Sequence, residues 1–579
     1  MVRYLAIFGP VPGTDENASG ARSAELRDIG LRHVSIAPGI ALHVGEDTPT
    51  LGIPAGGILL GHVFSHDGSP LRQASQLPAF AEAGQLREYL LDQCWGPYLL
   101  LQPDPRGGLT VLREPSPSGD VACFYRLQAG QWFITSDISL AERAGVYRRS
   151  IDWDAIVHRL AFPRIKTART ALAGLQELLP GCALHVRDRR HTVQQAWSPR
   201  RFVARDARHH TPEQAAADIR RAVVTATQAL ARVDRSVLLE LSGGLDSSIV
   251  GTSLRGALAD VTCTSLVTTV PGADERQYAA QIADLLGAPL HTETLQLEAA
   301  RFAFAPHPQC VMPRVGVLQH AVDEVMLAAA ARHGANGFFS GGGGDTIFCA
   351  LDTAAPAADA VRERGVTRGL SAVQDLAALH QCTFWKAGRL TLRKLRRPPA
   401  MVRPADRSFL AEDMPAVQPN AHPWSDAPPD ALPGDVERIR GLATCQAYRD
   451  SLARGALRPV RMPLLSQPVV EACLRAPTWM WIAGGVNRAV ARAAFADVLP
   501  AEILHRRSKG TFMSYLGAVY QRNRPAMRDF LLQGRLQQRG LLDVQALDAF
   551  MGHGIPEGGH AFTRVFDLCM VENWVRHQP

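Results

Sequence analysis

The sequence lacks the long apolar stretch that would commit it to a membrane. No uninterrupted run approaches the ~20 residues that cross a bilayer, so no membrane partner is expected. The opening MVRYLAIFGPVPG has too short an apolar core and no cleavage site of small residues, so no secretory signal is expected either. The ten cysteines are scattered, with no CxxC pair and no HExxH. That spacing excludes the common zinc frameworks and leaves free, buried thiols in a reducing cytoplasm as the expectation. A strong charge excess is missing too: 62 Lys and Arg against 55 Asp and Glu leave a net +7. That permits an anionic partner without requiring nucleic acid, and none is expected. With 46% hydrophobic and 20% charged residues, the 579-residue chain is globular and long enough for two or more cores.

One further absence marks the most informative stretch, SVLLELSGGLDSSIV, from Ser236 to Val250. An apolar run, a glycine turn and a second apolar segment predict a buried strand, a tight loop and a helix start. Such a junction aims backbone N–H groups and the positive helix end at one point, which suits phosphate. The lysine that follows the glycines in the nucleotide loop of many ATPases is missing here. Serines stand in its place, with Asp246 among them as a candidate magnesium ligand. The stretch resembles the pyrophosphate loop of the ATP pyrophosphatases, which split ATP into AMP and pyrophosphate. That resemblance makes Ser242, Gly243, Gly244, Asp246, Ser247 and Ser248 the candidate ATP contacts.

Residues 1–205 alternate short apolar segments with Gly and Pro breaks, predicting an α+β layer structure with helices near 80–93 and 152–161. GGILLGHVFSHDG (56–68) and 95–127 resemble the glutaminase domain of asparagine synthetases, an N-terminal-nucleophile fold. That chemistry needs a cysteine whose own amine serves as base. Position 2 holds Val2 and the first cysteine is Cys94, so a degenerate domain that frees no ammonia is expected. The polar stretch 200–210 is the expected linker.

Residues 206–579 are expected to form an α/β synthetase domain. Thr211-Pro212 opens a helix, and strand–helix alternation from 236 to 295 predicts a parallel, doubly wound sheet. At the end of the second strand, Leu266 and Val267 are the candidates that the resemblance places at adenine. NGFFSGGGGDTIF (336–348) repeats strand, glycine turn and carboxylate, which makes Ser340 and Gly341 candidate ATP contacts and Asp345 the second magnesium ligand. Residues 351–435 are expected to be an insertion or helical lobe. The basic cluster 389–403 within it suits a solvated helix face, an acidic partner or, third, nucleic acid. The resemblance places Lys509, in HRRSKGTF, at the reaction centre, where it would neutralise the α-phosphate and the tetrahedral intermediate.

The departures from asparagine synthetases point one way. Thr346 follows the aspartate where Glu is usual, and PLLSQPVVE (463–471) stands where PFLD is expected. Together with the missing nucleophile, these resemble the lasso peptide cyclases, macrolactam synthetases of the same family. The resemblance implies adenylation of an Asp or Glu side chain of a leader-free core peptide, then attack by the peptide's own N-terminal amine. It also implies a leader peptidase and a leader-recognition protein as partners, and analogy with the Tyr–Glu pair of β-lactam synthetases makes Tyr448 the candidate base for the amine. A β-lactam synthetase and an ammonia-dependent asparagine synthetase remain alternatives, as do a non-catalytic scaffold and a tRNA-modifying enzyme.

Overall fold

The computed structural model describes residues 2–8, 25–53, 56–104, 107–128, 131–187, 190–271, 274–397, 404–420, 422–507, 510–553 and 560–579. The first half is a sandwich of two six-stranded sheets whose described pairings are all antiparallel. Alternation along Tyr4–Phe8 sends Tyr4 and Ala6 inward, where they meet Leu60, Leu99, Val111 and Leu184 of the facing sheet. The helices expected near 80–93 and 152–161 are Ala83–Gln93 and Trp153–Ala161.

Both outer faces of the sandwich are covered as well. Leu5, Ile7 and Phe133 join a core with Tyr515, Val519, Phe566 and Leu568 of the two helices Met513–Leu532 and Phe562–Arg576. Leu59, Leu100 and Leu112 join the large core beneath the second half of the chain. The sandwich is thus buried on three levels, although its last strand ends at Gln195 and helix Pro212–Asp234 opens the second half. The Thr211 hydroxyl caps that helix by accepting from the Gln214 N–H at 3.2 Å.

The second half is built on a five-stranded parallel sheet ordered Leu290–Leu295, Asp260–Thr268, Ser236–Glu240, Gly337–Ser340, Val460–Arg461. Connections run outward in opposite directions from the two central strands. Ser236–Glu240 and Gly337–Ser340 therefore flank the topological switch point, where the loops after parallel strands diverge and leave a crevice.

Residues 351–435 do not act as one unit. Helix Ala355–Leu379, broken at Gly365 where φ is +82°, buries Ala357, Ala360, Val373 and Leu376 in the large core and pairs with Phe384–Arg396. Leu410 and Met414 pack instead with the C-terminal helices. An apolar face at each end of the stretch selects a different core.

Candidate ATP and acyl-transfer site

Both glycine loops open into one cavity of about 820 Å³ at the switch point. In the first loop, Gly243 has φ +67° and a Cβ there would lie 2.4 Å from that of Tyr278, so the turn requires glycine. Gly244 then starts helix Leu245–Ser253. Its N–H donates to Ser242 Oγ at 3.3 Å, and the Ser242 and Ser247 hydroxyls lie 3.1 Å apart. These side chains tie the loop down and leave its N–H groups at the helix start to face the cavity.

The second loop explains why four glycines stand in a row. A Cβ on Gly341 would come 2.6 Å from the Ser247 nitrogen, and one on Gly344 would come 2.3 Å from Asp246 Cγ. The backbone of the second loop lies directly against the helix start of the first. A flexible linker would show no such contacts.

This interlock brings Asp246 and Asp345 to the same guanidinium. Arg488 Nη1 donates to Asp246 at 3.0 and 3.2 Å, and Nη2 pairs with Asp345. Asp246 is 9% exposed, while the Asp345 side chain is 54% exposed toward the opening. Arg488 follows the hairpin Ile482–Ala483/Val486–Asn487 and has φ +54°, a left-handed geometry unfavourable for arginine. Arg492, Arg506 and Arg507 line the same cavity. Arg506 donates to the Gly243 carbonyl at 3.3 Å and stacks on the Tyr278 ring, 4.0 Å from its centroid. This end of the cavity is basic and suits a polyphosphate.

Ser242, Gly244, Asp246, Ser247, Ser340, Gly341, Asp345 and Tyr448 all line the cavity. Gly243 shapes the turn from outside it, and Ser248 is fully buried behind it, its hydroxyl lacking a partner among the described residues. At the end of the second strand, Leu266 and Thr264 face the cavity while the Val267 side chain is buried on the other side of the strand. Strand alternation brings only the Leu266 side chain to the cavity, while the contact expected of both residues is through their backbone groups. Lys509 lies outside the described residues.

Tyr448 stands on the last turn of helix Pro433–Arg449, with Gly342 beneath it: a Cβ on Gly342 would lie 3.1 Å from Tyr448 Cε1. The ring is 45% exposed into the cavity. The surrounding walls desolvate its hydroxyl and push it up to about 12, with Glu240 adding to the rise and Arg454 opposing it. Ser466 and Gln467, which stand where the Asp of PFLD is expected, do not line the cavity. Gln467 donates to the Leu91 carbonyl at 2.6 Å and to Glu471 at 2.9 Å, and Trp197 donates to Glu471 at 3.1 Å. The polar residues of PLLSQPVVE therefore join the second half to the sandwich. Sequence reasoning missed Arg488, Arg492 and Arg506, because lone arginines far along the chain carry no local signal.

Two glycine loops meeting at a helix start, with arginines and two carboxylates at the C-terminal edge of a parallel sheet, suit a site for a nucleoside polyphosphate. Residues 218–576, well over half of the chain, match the asparagine synthase family, and the chain belongs to that family. Its activity is therefore of the ATP-dependent, amide-forming kind. No curated protein matches the chain. Two solved structures are loosely similar. One is the structure of the allosteric regulatory enzyme of purine biosynthesis, at 11% identity and TM-score 0.22, covering 50% of this chain and 80% of that one. The other is glutamine phosphoribosylpyrophosphate amidotransferase from B. subtilis complexed with ADP and GMP, at 11% identity and TM-score 0.22, covering 50% and 65%.

The residues present fit a magnesium ion. Asp246 and Asp345 are hard oxygen donors already drawn to one cation. Among the described residues no cluster of three or more His, Cys, Asp or Glu surrounds them. An ion held by so few protein ligands takes the rest from phosphates and water, which is the habit of magnesium.

Proposed function

We propose that the chain closes a macrolactam on a peptide: ATP activates an Asp or Glu side chain as an acyl adenylate, and the peptide's own N-terminal amine displaces AMP. The observation that carries this reading is an ATP site beside a sandwich without a usable thiol. Cys94, Cys123 and Cys182 are the cysteines of the sandwich, and all are buried. Burial pushes their thiols up, to about 12 for Cys94 and about 11 for the other two, the reverse of what a nucleophile needs. Val2 packs against the sandwich core and offers no nucleophile. The amine then comes with the substrate, and Thr346, which lines the cavity where Glu is usual, supports a substrate other than free aspartate.

In this reading the loops and Arg488, Arg492 and Arg506 hold ATP, and Asp246 and Asp345 hold magnesium, which would neutralise phosphate charge. Lys509 would stabilise the tetrahedral adduct, and Tyr448 would relay the amine proton, its hydroxyl passing its own proton toward a carboxylate of the cavity such as Glu240 as it accepts the one from the amine. Holding amine and acyl group on one peptide makes the second step effectively intramolecular. A peptidase that removes the leader and a protein that recognises it are the proposed partners. Ten free cysteines and an ATP requirement fit a reducing, cytoplasmic setting. No helix among the described residues is long and apolar enough to cross a membrane.

The test combines the purified chain, ATP, magnesium and the synthetic, leader-free core of the precursor encoded beside its gene. The expected product is lighter than the peptide by one water and appears with AMP and pyrophosphate. ADP in place of AMP, or turnover of free aspartate with ammonia, would sink the reading.

A further inference from the structure

The sandwich, whose cysteines are all buried, is joined to the second half by buried charges. Arg113 and Lys166 of the sandwich clasp Glu177 at 2.8 and 2.6 Å, all three side chains at most 5% exposed. Burial alone would raise the Glu177 carboxyl, but Lys166 and Arg113 hold it down at about 2, so it stays ionised. The Lys166 ammonium also donates to Asp450 at 2.6 Å, just beyond helix Pro433–Arg449, and Gln446 donates its amide to Glu177. Two cations and two carboxylates balance, with partners on both sides of the junction.

The helix geometry gives this grip a direction. Gln446 and Asp450 are four residues apart and lie on one face of the last turn, while Tyr448, about 200° from Gln446, points the opposite way. One face is held by the sandwich and the other presents the phenol to the cavity. Ser451 closes the turn, its N–H and hydroxyl donating to the Tyr448 carbonyl at 3.0 and 2.6 Å.

We propose that the sandwich is retained as the seat of Tyr448: Lys166 and Glu177 are positioning residues that fix the last turn of the helix and so place the phenol against the reacting amine. The inference rests on the reading that Tyr448 serves the amide-forming step. A rigid seat matters because misplacing a catalytic group by about 1 Å costs on the order of 100-fold. Adenylation uses the loops and arginines across the cavity and meets this turn only where the Tyr448 ring rests on Gly342, a contact that does not involve the hydroxyl.

Lys166→Met, Asp450→Asn, Tyr448→Phe and the Lys166→Met/Tyr448→Phe double variant would be assayed with the synthetic core peptide for pyrophosphate release and for macrolactam. For Lys166→Met and Asp450→Asn, macrolactam per pyrophosphate should fall roughly 10- to 100-fold while pyrophosphate release stays within about twofold. Lys166→Arg should recover part of the loss. Lys166→Met should add nothing once Tyr448 is Phe, because the two act through one group. Equal loss of both steps, a change in thermal stability alone, or additivity with Tyr448→Phe would overturn the inference. Should Lys166→Met fail to fold, Asp450→Asn, which keeps an acceptor for Lys166, carries the same comparison. Normal macrolactam formation by Tyr448→Phe would instead overturn the premise about Tyr448, and the inference with it.

Discussion

Asp246 does the most with one side chain. It is nearly buried, starts the loop helix and touches the backbone of the second loop. Asp246→Ala should reduce peptide-dependent pyrophosphate release to background without loss of the folded state, as circular dichroism would show. Arg488 meets the same carboxylate from the far end of the chain. Its guanidinium bridges Asp246 and Asp345, so Arg488→Met should bring back part of their mutual repulsion and cost about 1–3 kcal/mol of stability in metal-free buffer. Added magnesium should raise the melting temperature of this variant more than that of the parent. Equal shifts would mean that the arginine and the ion do not share the carboxylates.

Among the elements, the glycine loops and the histidine-anchored segment behave differently. Gly344→Ala places a methyl group onto Asp246, an overpacking that should cost about 1–3 kcal/mol and displace the carboxylate. Pyrophosphate release should fall far more than the melting temperature does, and a proportionate fall would argue for general unfolding. The segment before helix Pro433–Arg449 is held by imidazoles acting as acceptors: His158 Nε2 receives the Asn420 N–H and His422 Nδ1 the Trp424 N–H, each at 3.1 Å. Burial, reinforced by nearby cations, brings His158 and His62 down to about 4 and His422 to about 3. An unfolded chain takes up protons below the usual histidine value of 6.5, whereas the folded chain refuses them until near 4. The histidine contribution to stability should therefore be fully present above pH 6.5 and fall progressively toward pH 4, opposed over this range by buried carboxyls such as Glu114, which burial raises to about 8. Thermal denaturation at half-unit intervals checks this, and His158→Gln, which keeps an acceptor, should flatten the slope.

Over the whole molecule, the second half covers both outer faces of the sandwich, and the buried ions add specific partners across the junction. Separate expression of residues 1–205 should expose Leu59, Leu100 and Leu112 and yield insoluble protein, measurable as the soluble fraction on lysis. A soluble, folded fragment would show that the junction is dispensable.

Local order was legible in the chain itself. Strand, Gly-Gly turn and Asp within a few residues determined the first loop, and the same logic located the second, because backbone geometry and the chemistry of carboxylates act at short range. The Thr211 cap and the β-branched strands were readable for the same reason. Only tertiary structure decided which cations meet the carboxylates: Arg488 reaches Asp246 from 242 positions away, a pairing set by the hairpin's place in the fold. It also turned Val267 away from the cavity and sent Gln467 into the sandwich junction, since the face of a strand or helix that meets a cavity depends on what else packs there. The sequence by itself determined the chemistry of the two loops. The role left to a sandwich without a nucleophile came from its buried charges, because ion pairs between distant segments exist only once the chain has folded.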